Sequence, residues 1–425
     1  MKKGLLIITA NYYPKESSIA NCIIPLIKHL MENGYEVDIL TDRHSVEVVN
    51  DEIIDNVRVH RVNNSYNITK DILSHVSKDK ALVKYCILKI FYFFKYRFLQ
   101  PAYRPPRRHK KDVVNKALAL YDEQPFDAIL SISHPFKSHL LAKEIRKRLN
   151  YSVKWFVYEF DPFAYGTELN INKCHELQAF RDEYMVFEQC DALFLTPELY
   201  EFYKDTSFEY FIDKATSVNY TNLHPLEYDE YVGSDVKFNE EKINCLFLGK
   251  VYNNVRNPSF VLNVFSKLKS NIHFTLLTNT DEVDFSEYNI NDDNITLIPF
   301  QPRNVALYAI GQTDILVNIG NTVLGQIPGK IFEYMGSGKP IIHFSKIKKD
   351  PSLVYLNKYP HALVINELED SVDSAQRKIQ AFCEKYSNTV LSFEDVSQSL
   401  GDYSGNVASE TFTNIINNLL DGIPS

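Results

Sequence analysis

At 425 residues the chain exceeds what one hydrophobic core ordinarily organises, so two domains of ordinary size are expected. Hydrophobic residues at 45% and charged residues at 24% exclude a disordered chain, and a net charge of −8 at pH 7 argues against a general nucleic-acid binder.

In chain order, an apolar run at 5–8 ends in Asn11-Tyr12-Tyr13-Pro14. It is too short for a signal peptide and reads as a first strand. The stretch up to Asn33-Gly34 places Ile19, Cys22, Ile23, Leu26, Ile27 and Leu30 at three- and four-residue spacing, which gives a helix one buried stripe. Residues 36–40 then return as a strand, completing a β-α-β unit. Pro25 is tolerable in a first turn, where amides have no intrahelical partner, so the helix is expected to start with Asn21 as its N-cap. Further strands are expected at 57–62, 128–133, 153–158 and 192–196, with a helical stretch at 137–149. Such alternation predicts a parallel, doubly wound sheet.

From 207 to 241 the periodicity dissolves into acidic, aromatic and Asn-rich sequence, and a domain boundary is expected there. A second alternation runs through 243–248, 272–277, 295–299, 315–319 and 340–342, and an amphipathic helix is expected at 411–420. The expected division is a first domain at 1–225, a second at 226–405, and a C-terminal helix at 406–425 packing back on the first. No apolar stretch of about 18 residues lacks charges, so no transmembrane helix is expected. The six cysteines, at 22, 86, 174, 190, 245 and 383, include no C-x-x-C pair, which fits a reduced cytoplasmic setting.

In open parallel sheets ligands sit at the carboxyl ends of strands. The first strand is followed by no G-x-G-x-x-G, which removes the main support for a dinucleotide-binding dehydrogenase. The strand at 243–248 runs into Gly249-Lys250, and Arg256 follows just before Pro258, a residue suited to the first position of a helix. These two cations can cradle a diphosphate; the alternative is two solvated surface charges. The segment 318–340 holds Gly325 and Gly329, then Lys330, with Glu333 one helical turn on. An ionised carboxylate there can accept both hydroxyls of a ribose, or can serve only as a helix-dipole partner. Gly336 and Gly338 can mark a plain helix stop. His134 closes a strand before Pro135 and is the candidate for handling an acceptor proton or charge near a sugar; His139, on the next helix, is its competitor. Between Lys84 and Lys111 stand nine Lys or Arg and no acid, interleaved with seven aromatic or aliphatic residues from Ile90 to Phe98. That composition suits an anionic membrane surface; a buried helix with snorkelling cations is the alternative.

Pro328-x-Lys330-Ile331-Phe332-Glu333-Tyr334-Met335-x-Ser337-Gly338-Lys339-Pro340-Ile341 resembles the P-x-K-x-x-E-Y-x-x-x-G-K-P-I signature of family-4 glycosyltransferases. Gly249-Lys250 with Arg256, and Thr313-Asp314-Ile315, are similar to further elements of that family, as are Asn11-Tyr12-Tyr13-Pro14, Ser133-His134-Pro135 and Asp161-Pro162 more loosely. The resemblance implies an α/β GT-B fold, two doubly wound Rossmann-like domains facing a central cleft. It implies a hexosyltransferase-type enzyme of polysaccharide biosynthesis. Such an enzyme moves a sugar from a nucleotide diphosphate sugar to a hydroxyl of a glycan or lipid-linked saccharide, with retention and without metal or other cofactor. By the same resemblance Lys250 and Arg256 are catalytic; His134 is the catalytic candidate because it lies at a strand's carboxyl end, while similar family members also show a His at the position of His139. Gly249, Asn321, Gly325, Gln326, Lys330 and Glu333 bind the donor, and Asn11, Tyr12, Ser17, Ser18 and Asp161 face the acceptor. The expected setting is the cytoplasm, peripheral on the inner membrane face through 84–111. Two departures stand out. Many members carry a Glu at the position of Gly325, where it touches the donor sugar, leaving Asn321 and Gln326 as the nearest substitutes. Ser17-Ser18 replaces the family's usual Gly pair. A GT-B nucleotide-sugar epimerase and a non-catalytic partner protein are the alternatives.

Overall fold

A computed structural model describes residues 3–14, 17–64, 90, 103–166, 173–228, 236–269, 271–279, 283–286, 288 and 294–422. The chain divides into two compact units, Met1–Asn219 together with Ser409–Ser425, and Tyr220–Ala408.

In the first unit the strands are β1 (Lys3–Ile8), β2 (Tyr35–Arg43), β3 (Asp51–Ile54), β4 (Val57–Asn63), β5 (Ala128–Ile132), β6 (Lys154–Glu159), β7 (Ala192–Leu195) and β8 (Ala215–Ser217). They lie in the order β3-β4-β2-β1-β5-β6-β7-β8, with β3 antiparallel to β4 and every other pair parallel. Helices α1 (Ser18–Glu32), α2 (Arg107–Glu123), α3 (Lys137–Arg148), α4 (Lys173–Gln189) and α5 (Pro197–Lys204) connect them. The central strands β5, β6 and β7 are buried almost throughout, as a sheet covered on both faces requires. Val113, Val114 and Ala117 of α2 and Leu141, Ala142 and Ile145 of α3 share one core with Ile129, Trp155 and Val157 of the sheet.

Helix α1 starts four residues earlier than Pro25 suggests. Ser17, not Asn21, is the N-cap, its Oγ accepting the Ala20 amide at 3.1 Å, and Pro25 lies inside the helix. The ring removes a single donor, whereas Ile19, Ile23, Leu26, Ile27 and Leu30 are all buried, and that apolar burial outweighs one missing hydrogen bond. Strands β3 and β8 have no counterpart among the expected strands, because edge strands half in water need no apolar run.

The second unit contains β9 (Ile243–Leu248), α6 (Ser259–Phe265), β10 (Ile272–Thr278), β11 (Ile295–Pro299), α7 (Arg303–Gln312), β12 (Ile315–Ile319), α8 (Lys330–Gly336), β13 (Ile341–Ser345), α9 (Leu353–Leu356), β14 (Ala362–Asn366), α10 (Val372–Tyr386) and α11 (Phe393–Leu400). Its sheet is wholly parallel in the order β11-β10-β9-β12-β13-β14. Cys245, Phe247, Phe274, Ile315, Val317 and Ile342 from its strands pack with Val261 and Phe265 of α6 and Ile379 of α10.

The last helix, α12 (Gly405–Leu420), returns to the first unit from Ser409 onward. The Phe412 ring lies 5.2 Å from Tyr158 and 4.4 Å from Phe194, and Asn417 Oδ1 accepts from Lys3 Nζ at 3.1 Å and Tyr35 Oη at 2.7 Å. Among the described residues no helix is long and apolar enough to cross a membrane. Most of 84–111 lies outside the described residues. Within its described part, Arg104 grips Asp182 through two bonds of 2.6 and 2.7 Å, and Arg107 and Arg108 are exposed at the start of α2.

Candidate functional site

Each sheet reverses its winding once, and the loops beside that reversal are where a doubly wound sheet opens a binding crevice. In the second unit the reversal falls between β9 and β12, and in the first between β1 and β5. Lys250 and Arg256 follow β9 and Asn321 follows β12; Asn11, Tyr12 and Ser17 follow β1 and His134 follows β5. Residues chosen on sequence from four separate segments therefore lie at the two places where the topology offers room.

In the second unit the loops after β9 and β12 are joined directly. Arg256 donates from Nε at 3.0 Å and Nη2 at 2.7 Å to Asn321 Oδ1, and from Nη1 at 3.3 Å to the Lys250 carbonyl. Asn321 is buried, and its Nδ2 donates to Gln326 Oε1 at 3.2 Å. The guanidinium is thus held by its edge while Lys250, next to Gly249, is exposed. Asn321 has its oxygen committed to the arginine, so its observed work is to brace a cation. Gly325 has φ +74, the left-handed region that a residue with a Cβ resists. The Glu that many family-4 members place there would be strained in this backbone.

Glu333 lies in the first turn of α8 and is buried. Lys330 Nζ donates to its Oε2 and Arg303 Nη1 to its Oε1, both at 3.2 Å. Burial pushes this carboxyl up, but Lys330 and then Arg303 outweigh burial and hold it below its usual range. It is an ionised carboxylate, whose two oxygens accept and do not donate. Arg303 was missed from sequence. It opens α7 directly after β11, so the rule that singled out Lys250 at the end of β9 applied to it equally. Tyr334 locks α8 to β9, its Oη accepting the Leu248 amide at 3.0 Å.

In the first unit Tyr12 is buried, and burial pushes its phenol well above the usual range. Ser17 caps α1, Ser18 is that helix's first residue, and Asn11 and Asp161 are partly exposed. His134 is exposed just beyond β5, whereas His139 is sealed in the core. His139 Nδ1 is 2.7 Å from Ser131 Oγ and its Nε2 is 3.1 Å from Glu159 Oε1, while Ser133 Oγ donates to the other Glu159 oxygen. Deeper in the same cluster Tyr203 Oη donates to Glu183, which also accepts the Ala164 amide at 2.9 Å. Burial, then the charge of Glu159, pushes the Glu183 carboxyl up to about 8.

Sequence reading also missed Asp42, at the end of β2. It is buried and accepts from Lys137 Nζ and from Asn64 Nδ2 at 2.8 Å, with His109 Nε2 3.0 Å away. Against the upward push of burial, Lys137 and His109 hold this carboxyl well below the usual range. Asp42 and Lys137 line a small cavity with Thr9, Thr41 and Ser138, where the Thr41 and Ser138 hydroxyls are buried and have no hydrogen-bond partner among the described residues.

No protein-family model matches the chain, and no curated protein matches it by sequence. Solved structures do match. The sucrose-phosphate synthase of Thermosynechococcus elongatus superposes with a TM-score of 0.67 at 10% identity, covering 99% of this chain and 100% of that one. The catalytic domain of starch synthase IV from Arabidopsis thaliana, bound to ADP and acarbose, gives 0.62 at 9% identity with 99% and 100% covered. A lipopolysaccharide outer core galactosyltransferase in its apo form gives 0.57 at 12% identity with 98% and 99% covered. These likenesses span both units, and the chain has the GT-B fold, two Rossmann-like α/β domains in tandem.

Proposed function

We propose that the protein is a glycosyltransferase that moves a sugar from a nucleoside diphosphate sugar to a hydroxyl of a glycan or lipid-linked saccharide, without metal and with retention at the transferred carbon. The observation that carries this reading is the braced cation at the reversal of the second sheet, Arg256 on Asn321 beside exposed Lys250, with the ionised Glu333 at the head of α8. Family-4 signature residues occupy these places, and proteins of the same fold include one solved with ADP.

The second unit binds the donor. Lys250 and Arg256 take the diphosphate and stabilise the negative charge that grows on it as the glycosyl bond breaks. Glu333 accepts from the ribose hydroxyls, and Lys330 and Arg303 keep its carboxylate charged before the nucleotide arrives. Gln326 contacts the sugar in place of the Glu that Gly325 lacks. The first unit supplies the acceptor side through Asn11, Tyr12, Ser17, Ser18 and Asp161, and His134 handles the acceptor proton. A cytoplasmic setting suits the buried thiols of Cys22, Cys190, Cys245 and Cys383.

Melting in the presence of UDP, GDP, ADP and dTDP, and of their sugars, tests the donor role. A ligand at 100 times its dissociation constant stabilises by about 2.7 kcal/mol, and one of these is expected to do so. Glu333→Gln should weaken that nucleotide by roughly 1.5–3 kcal/mol, about ten- to a hundredfold, because a charged hydrogen bond is lost. Unchanged affinity removes the ribose role. Release of nucleotide that requires an added acceptor distinguishes transfer from epimerisation, which needs none, and no melting shift with any nucleotide favours a non-catalytic protein.

A further inference from the structure

The loop that braces Arg256 is itself seated on a buried polar chain. Asn318, on β12, places its amide nitrogen 2.8 Å from His343 Nδ1, and His343, on β13, places Nε2 2.8 Å from Asp350 Oδ2. All three side chains are buried. The other Asp350 oxygen accepts the Ser352 amide at 2.9 Å. Since a carboxylate only accepts, the His343 proton sits on Nε2, and Nδ1 is left to accept from Asn318; each group fixes the orientation of the next. Directly above this pair runs Gly320, whose amide donates to the Phe344 carbonyl at 2.9 Å. A Cβ at Gly320 would lie 2.9 Å from Asp350 Oδ2 and 3.3 Å from His343 Cε1, so the backbone rests on the imidazole and the carboxylate themselves. The next residue is Asn321, which holds two of the arginine's N–H groups.

Burying an imidazole and a carboxylate costs desolvation that apolar side chains of the same volume would avoid. What this arrangement supplies in return is direction, because a satisfied polar chain admits one register of the loop above it. We propose that His343 and Asp350 are positioning residues for the donor. Through Asn318 and Gly320 they set the loop 318–326, and with it the direction in which Arg256 presents its guanidinium to the diphosphate. This rests on the donor-site reading given above, and neither residue touches the nucleotide.

Asp350→Asn is the sharpest variant. Its amide has one oxygen for two neighbours that both donate, His343 Nε2–H and the Ser352 amide, so one donor must face another unless the imidazole changes tautomer and turns a proton on Asn318. Calorimetric titration with UDP, GDP, ADP and dTDP, and with the matching nucleosides, is expected to show the preferred diphosphate bound roughly tenfold more weakly by Asp350→Asn, with the nucleoside unaffected. In an Arg256→Ala background the same substitution should add less than about a twofold loss, because its effect passes through that arginine. Melting curves verify the fold, and Asn318→Ser, which removes the link from the other end, serves if Asp350→Asn does not fold. A folded variant with wild-type diphosphate affinity, equal losses for nucleoside and diphosphate, or full additivity with Arg256→Ala overturns the proposal alone. Wild-type protein that binds none of the four nucleotides overturns the donor reading, and this proposal with it.

Discussion

Glu333 in the second unit and Glu183 in the first are both carboxylates withdrawn from water, yet they end on opposite sides of neutrality. Glu333 has Lys330 and Arg303 within 3.2 Å and stays ionised, while Glu183 has a phenol and the backbone amides of Ala164 and Phe163 as donors and the acid Glu159 nearby, and holds its proton up to about pH 8. Burial is common to both, so the neighbours decide. The cations around Glu333 are themselves partly exposed, at 32% and 25% of their side chains, and can be shared with an incoming ligand. In the first unit's cluster Glu159, His139 and Glu183 are all buried. Opposite neighbours thus leave one buried acid charged and the other protonated.

The largest expected effect breaks the buried cluster. His139→Ala removes the buried imidazole that lies between Ser131 and Glu159 and leaves their polar atoms facing a void, which ordinarily costs about 1–3 kcal/mol of stability for each buried polar group left without a partner. His134→Ala, on the exposed turn five residues earlier, should leave melting unchanged and lower turnover roughly a hundredfold. Melting curves and kinetics on both variants read the contrast. Turnover loss confined to His139→Ala, at an unaltered melting temperature, would reverse the two roles.

Next in size is the open cluster. Arg256→Ala should lower kcat by about 10²–10³, the range found when one donor is removed from developing negative charge. Lys250→Ala should lower it less, because its ammonium is exposed and screened by salt. Turnover at the wild-type level in both single variants would reduce these cations to surface charge.

How far such contrasts were legible in the sequence depended on where the deciding neighbour lay. The strand-helix alternation is local, and β9, β11 and β12 begin and end where their apolar runs do. The contact between Lys330 and Glu333 was legible because the two stand one helical turn apart. Arg303 lies 30 residues away along the chain, and only the packing of α7 beside α8 brings it to the carboxylate. Gly336 reads locally as a helix stop, but a Cβ there would stand 2.3 Å from the His224 carbonyl, a crossing no local pattern encodes. Lys339 of the signature donates to the carbonyls of Gly311 and Thr313, contacts between segments that no local pattern encodes. The Glu159–His139–Glu183 cluster was illegible for the same reason: three polar residues on β6, α3 and α4 carry no joint signal until the sheet is wound. The helix start at Ser18 is set by a stripe of five buried aliphatics, whose burial outweighs the donor that Pro25 lacks.

The smallest expected effect concerns Glu183 and isolates the protonation state that separates it from Glu333. In the unfolded chain its carboxyl ionises near the ordinary Glu value of about 4.3. In the folded protein it keeps its proton to about 8. Between those values the folded state binds more protons than the unfolded state, so stability falls as pH rises. The contribution is whole below the lower value and is lost as pH passes the upper one. Glu183→Gln mimics the protonated acid, since its oxygen can accept the Ala164 amide and its nitrogen can donate to a Tyr203 hydroxyl turned to accept. The variant therefore lacks this loss. Relative to wild type it should gain in melting temperature progressively as pH rises from 5 to 8. Melting curves that run parallel across that window would mean that Glu183 ionises inside the fold like any exposed glutamate, and that the two buried carboxylates do not differ in charge.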